Sequence, residues 1–212
     1  MNAMQHCRQT YIDLIRHGEP VGGNRYRGRT DDPLSELGWQ QMRSAVGDYQ
    51  QWDRIICSPL KRCSEFAHEL AERLECPIHV EERIQELSFG QWEGMTAAQI
   101  DERWPGSVKR FWQAPWQNPP IGGEAQQEFQ ERIAAAWQSM LQQYEGERLL
   151  VVCHGGVIRE LLRQVLHFPQ EQLFRWQVPY ACVSRLCVYH DEPGMFPNLI
   201  SHGALLNEAA AA

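Results

Sequence analysis

Leu149-Leu150-Val151-Val152-Cys153-His154-Gly155-Gly156-Val157-Ile158-Arg159 reads as a strand that turns directly into a helix. An unbroken apolar run of this length suits a strand buried on both faces, as in a parallel sheet. The paired glycines then open a helix predicted to run through Leu166. The same plan occurs twice upstream. Thr10 to Ile15 predicts a strand that ends in Arg16-His17-Gly18-Glu19, and Arg54 to Cys57 predicts another. The second strand meets Ser58-Pro59, where Ser58 is read as an N-cap and Pro59 as the first position of a helix to Leu74. Strands alternating with helices predict an α/β fold: a three-layer, mostly parallel sheet with helices on both faces. Ligands in such sheets bind beyond the carboxyl ends of the strands.

Between these units, Ser35 caps a predicted helix over Glu36 to Tyr49, and Pro77 to Val80 is a short strand. Glu81 to Gly94 shows no sustained period and is read as a loop. Thr96 to Trp104 is a short helix stopped by Pro105-Gly106, and the proline-rich Ala114 to Gly123 is a connector. Glu124 to Tyr144 is the longest helix, with Phe129, Ile133, Ala136, Trp137 and Met140 on one stripe. Cys182 to Tyr189 is a late strand. No internal repeat or domain boundary is visible, so residues 1–206 are read as one domain and the alanine-rich 207–212 as a disordered tail.

The chain has 212 residues, 43 % apolar and 22 % charged, which is a globular balance. Twenty basic and 27 acidic residues leave a net charge of −7, which argues against a nucleic-acid partner. No segment is long and apolar enough for a bilayer span, and the first ten residues lack the apolar stretch of a signal peptide. A cytoplasmic location without a membrane partner is the expectation. Seven cysteines, an odd number without a C-x-x-C pair, predict free thiols. The eight histidines form no H-E-x-x-H or Cys/His zinc pattern, so neither metal nor other cofactor is predicted. The last strand and tail are a candidate homodimer edge.

The three strand ends bring together Arg16, His17, Arg62, His154 and helix N-termini, which is the composition of a phosphate site. Arginine forks onto phosphate oxygens, and a neutral imidazole can attack phosphorus. Glu86, in Glu86-Leu87-Ser88-Phe89-Gly90-Gln91-Trp92-Glu93-Gly94, adds a carboxylate from a loop. In this order, and across about residues 10 to 190, the four motifs resemble the histidine phosphatase, or phosphoglycerate-mutase-like, superfamily.

That resemblance implies that His17 is a nucleophile forming a phosphohistidine, that Arg16, Arg62 and His154 bind the phosphoryl oxygens, and that Glu86 is the proton donor. It also implies a small phosphate ester as the binding partner. The family usually has an asparagine six residues after the nucleophile; here Gly23 stands there and Asn24 follows. Asn24, Arg25 and Arg27 in the basic stretch to Thr30 are candidate substrate contacts, as are Gly155 and Trp92. Glu124, after Gly122-Gly123, matches a further family position or simply favours a helix N-terminus. The Glu86–Glu93 pattern resembles the α-ribazole-5′-phosphate phosphatase branch, which acts in cobalamin nucleotide-loop assembly. A broad-specificity sugar-phosphate phosphatase or a fructose-2,6-bisphosphatase-like enzyme is the alternative.

Trp92, Trp116 and Tyr26 are candidates for stacking on a flat base, whereas Trp39, Trp112 and Trp137 fit core or surface cover. Cys153 to Arg159 also satisfies the C-x₅-R pattern of cysteine-dependent phosphatases, with Cys153 as the rival nucleophile. A phosphomutase and a non-catalytic phosphate-ester sensor complete the rival readings.

Overall fold

The computed structural model describes residues 8–191, 194–204 and 206. Six strands form one sheet: β1 (Arg8–Arg16), β2 (Arg54–Cys57), β3 (Ile78–Val80), β4 (Arg148–Cys153), β5 (Val183–Asp191) and β6 (Gly194–His202). Their spatial order is β3-β2-β4-β1-β5-β6. The pairs β2–β3, β2–β4 and β1–β4 are parallel, and β1–β5 and β5–β6 are antiparallel. The helices are α1 (Glu36–Val46), α2 (Lys61–Leu74), α3 (Ala97–Arg103), α4 (Ser107–Gln113), α5 (Gln126–Gln143) and α6 (Gly155–Val165).

Strand β4 explains the layering. Its side chains alternate across the sheet as a period of two requires. Leu149, Val151 and Cys153 enter one core with Phe129, Ile133 and Met140 of α5 and Ile158 and Leu161 of α6. Leu150 and Val152 enter the other, with Met42 of α1 and Phe66 and Leu70 of α2. The expected three layers, with helices on both faces, are therefore present. Fully burying one such aliphatic or aromatic side chain contributes about 1.5–3 kcal/mol. Asp13 is a buried exception inside β1. Its carboxylate takes Arg185 Nε at 2.7 Å, Arg185 Nη2 at 2.9 Å and Trp52 Nε1 at 2.9 Å.

Several expectations change. Ser58 does not cap α2; Leu60 occupies the cap, and Pro59 lies outside the helix. Helix α1 stops early, at Gly47, whose φ of 52° lies in the left-handed region open to glycine. Two elements had no sequence signal: α4, and the edge strand β6, whose Pro197 and polar residues obscure its pairing with β5. The six described cysteines are free. Among the described residues no helix is long and apolar enough to cross a membrane. The alanine-rich 207–212, expected as a disordered tail, lies outside the described residues.

Candidate active site

Strand register builds the site. Arg16 pairs with Cys153 and Cys57 with Val152, so His17, His154 and Ser58 are the first residues past three adjacent strand ends. The His17 N–H donates to the Cys153 carbonyl at 3.0 Å, and the Ser58 N–H to the Val152 carbonyl at 3.0 Å. Gly18 must be glycine, because a Cβ there would strike the Gly38 carbonyl of α1.

His17 Nδ1 lies 2.7 Å from the Gly18 carbonyl oxygen. A carbonyl only accepts, so Nδ1 carries the proton and Nε2 presents its lone pair. Burial pushes this imidazole well below its usual range, and the Arg62 and Arg16 charges push it further. His154 is lowered for the same reasons: burial first, then Arg62, then His17. The two rings meet edge to face with centroids 5.3 Å apart. His154 Nε2 shares a 2.7 Å hydrogen bond with Ser58 Oγ. Ser58 therefore holds a site histidine rather than a helix end.

Three guanidiniums border the cavity beside these rings. Arg16 donates through Nη1 to the Val178 carbonyl at 2.6 Å and lies over the Tyr180 ring at 4.3 Å. Arg62, fully buried, donates to the carbonyls of Thr30 and Gly28, each at 2.7 Å. Arg159 reaches back along α6: a Cβ on Gly155 would sit 3.3 Å from its Nη1 and 3.2 Å from Arg16 Nε. The Nε atoms of Arg16, Arg62 and Arg159 are all buried without a hydrogen-bond partner. A buried donor left unmade costs about 1–3 kcal/mol, more when charged, so three around one cavity mark an anion site. Burial also lowers Arg16 and Arg159 from the usual guanidinium range.

Glu86 faces this group from the loop after β3. Its Oε1 accepts the Leu87 N–H at 3.0 Å, and its Oε2 accepts the Gly156 N–H at 3.1 Å, in the first turn of α6. A Cβ on Gly156 would push the Glu86 carboxylate out of this position. The arrangement combines a neutral imidazole nitrogen, unpartnered cationic donors and a carboxyl group at one crevice. That combination suits binding and attack on a phosphoryl group.

The crevice opens into a cavity of about 380 Å³. Arg16, His17, Arg62, Glu86 and Gly155 line its floor, and Tyr26, Phe89, Phe111, Trp112 and Phe174 form an aromatic wall. Trp112 and Phe174 have centroids 4.7 Å apart, and Trp112 Nε1 donates to Tyr26 Oη at 2.6 Å. Asn24 and Arg25 also border the cavity. Arg27 borders it too, but its guanidinium is engaged by Asp32 and by the Val21 and Gly23 carbonyls, so it holds the loop together.

Trp92 corrects the sequence reading. It is 2 % exposed, belongs to the core and packs on Phe111 and Tyr26, so it is not a substrate contact. Trp116 does not border the cavity either, whereas Trp112, 44 % exposed on α4, does. The rival nucleophile Cys153 fails as well: it points into the core beneath α5 and α6, and burial raises its thiol far above the usual range. Arg159, the other half of that pattern, does reach the cavity. Its position four residues after Gly155, one helical turn, was the signal available in the sequence. Tyr180 and Phe174 sit in the loop before β5 and carried no such signal.

Comparison with known proteins places this geometry. A sequence model of the histidine phosphatase superfamily (branch 1) matches residues 12–195. A bifunctional protein of Mycobacterium tuberculosis is 34 % identical over 187 residues, covering 86 % of this chain and 51 % of that protein. The chain thus spans about half the length of these mycobacterial relatives. An adenosylcobalamin/α-ribazole phosphatase of Salmonella typhimurium is 29 % identical over 82 % of this chain and 88 % of its own. Among solved structures, a mycobacterial glucosyl-3-phosphoglycerate phosphatase superposes with a TM-score of 0.82 at 27 % identity, covering 93 % of this chain and 100 % of that one. The match along most of its length, on a fold with both histidines at neighbouring strand ends, makes this chain a member of the histidine phosphatase superfamily.

Proposed function

We propose that the chain is a phosphomonoesterase acting through His17, and that its substrate is α-ribazole 5′-phosphate, a ribose 5-phosphate bearing a flat aromatic base. The observation that carries the reaction is the free Nε2 of a neutral His17 beside Arg16 and Arg62, whose buried Nε atoms have no hydrogen-bond partner. Nε2 attacks phosphorus and the ester P–O bond breaks. The Glu86 carboxyl gives a proton to the departing alkoxide. Its carboxylate then takes a proton from water, whose oxygen attacks phosphorus; the P–N bond breaks and inorganic phosphate leaves. Arg16 and Arg62 meet the charge on the phosphoryl oxygens, the main demand of phosphoryl transfer, while the buried His154 packs edge to face against the His17 ring.

The aromatic wall supports the base-bearing substrate, because a planar ring gains by offset or edge contacts with Trp112, Phe174 and Tyr26. The Salmonella relative's name points the same way. Arg159 favours a second reading, a sugar-acid phosphate, since it adds a third guanidinium to the cavity lining for a second negative group.

Two measurements test the proposal. Rapid acid quench with labelled substrate should trap an acid-labile, alkali-stable phosphoenzyme that His17→Ala abolishes; near-native turnover by that variant would end the mechanism. Then kcat/KM is compared among α-ribazole 5′-phosphate, ribose 5-phosphate, 3-phosphoglycerate and fructose 2,6-bisphosphate. A preference below about tenfold, roughly 1.4 kcal/mol at the transition state, would remove the α-ribazole assignment.

A further inference from the structure

Glu86 sits in a stretch with little regular structure of its own, yet a proton donor must be held within a few tenths of an ångström of its target. Arg132, in the second turn of α5, accounts for the holding. Its Nη1 donates to the carbonyls of Arg83 at 2.5 Å and Gln85 at 2.7 Å, and its Nη2 to the carbonyl of Glu86 at 3.1 Å. Its Nε and Nη2 also grip Glu124 Oε1 at 2.6 Å and Oε2 at 2.9 Å. Glu124 in turn accepts the Ser88 N–H at 3.2 Å through Oε2, and its own N–H donates to the Ser88 carbonyl at 3.0 Å. The backbone is therefore tied just before and at Glu86 by Arg132, and two residues after it by Glu124.

The pair is well built for this task. The Arg132 side chain is 17 % exposed and the Glu124 side chain 8 %, and the guanidinium lies 4.7 Å from the Phe129 ring centroid. Burial alone would raise the Glu124 carboxyl, but the Arg132 hydrogen bond and charge, together with the Ser88 N–H and the Arg29 charge, bring it below its usual range. Arg29 adds a second cation at 3.5 Å. A planar guanidinium can serve three carbonyls and a carboxylate at once; a lysine ammonium cannot reproduce that fork.

We propose that Arg132 and Glu124 form a positioning clamp that aims the Glu86 carboxyl at the leaving oxygen. Neither side chain touches the phosphoryl group, so the clamp acts through Glu86 and rests on Glu86 being the proton donor. A merely structural pair would lower stability and affect all substrates alike. A positioning pair affects the substrates that need the proton.

The test measures Glu86→Gln, Arg132→Lys, Glu124→Gln and the doubles with Glu86→Gln on an alkyl phosphate and on p-nitrophenyl phosphate, with Tm for each. Arg132→Lys is expected to lower alkyl-phosphate kcat/KM by about 10- to 100-fold, the scale of an ångström's misplacement. The p-nitrophenyl phosphate kcat/KM, which covers only the steps through departure of a leaving group that needs little protonation, should fall by no more than about twofold, the usual scatter of independent sites. In the Glu86→Gln background, Arg132→Lys should add no more than that same scatter, about twofold. Glu124→Gln should follow the same selectivity, and it carries the test if Arg132→Lys does not fold. If Glu86→Gln is selective for the alkyl phosphate while both clamp variants hurt the two substrates equally, the clamp is overturned and the acid role stands. Additive losses in the doubles also overturn the clamp. If Glu86→Gln itself shows no selectivity, both fall together.

Discussion

Neutral, buried histidines should make this protein acid-labile in a way that can be counted. In the folded state His17 and His154 lie well below the usual imidazole range, chiefly through burial. In the unfolded chain each titrates near about 6.5. As pH falls through that value the unfolded state takes up a proton that the folded state refuses, so unfolding gains free energy and stability drops. Between pH 7.5 and 5.5 the loss is about 1.4 kcal/mol for each histidine, or about 2.7 kcal/mol for the pair. The window ends above the range where the lowered carboxyls of Glu81 and Glu124 begin to lose their contribution. Urea unfolding at four pH values gives the quantity, with an unchanged m-value as the check that the same surface unfolds. His17→Gln removes one site, so that variant should lose about 1.4 kcal/mol less than wild type over the same interval. Equal losses in the two proteins, within about 0.5 kcal/mol, would refute the burial of a neutral His17. The same neutrality predicts that the acid limb of kcat/KM lies well below the ordinary imidazole value.

Cys153→Ser should keep phosphatase activity within about twofold while lowering stability by about 1–3 kcal/mol, because it places a hydroxyl in an apolar core; loss of all turnover would restore the cysteine as nucleophile. Arg159→Met should raise KM and the inhibition constant of inorganic phosphate by about tenfold or more, the value of one charge-assisted hydrogen bond, with kcat less affected; unchanged constants would place Arg159 outside the binding surface. Asp13→Ala should cost about 3–5 kcal/mol in urea unfolding, since Arg185 is left buried without its carboxylate. The double change Asp13→Leu with Arg185→Met should recover most of that loss; no recovery would mean that the pair does more than neutralise itself.

Local pattern was enough to read much of this protein. Apolar runs ended by His17-Gly18, by Ser58-Pro59 and by His154-Gly155-Gly156 marked three strand ends, and a parallel sheet brings such ends to one edge. The core stripe of α5 was visible because its period of 3.6 leaves a long trace. Whether a side chain faces a cavity or the core was decided by tertiary packing. Trp92 and Trp112 are both aromatic residues near the same site, yet the tight turn over Gly90–Trp92 drives one inward while α4 presents the other to the opening. Cys153 and His154 are adjacent, but strand alternation sends the thiol beneath α5 and α6 while the imidazole stands beside His17. Arg132 lies 46 residues from Glu86 and meets it only because α5 packs across the loop. Composition and periodicity act over a few residues, so they determine elements and their apolar faces. The aim of a buried donor is set by partners distant in sequence, and only the closed fold brings those together.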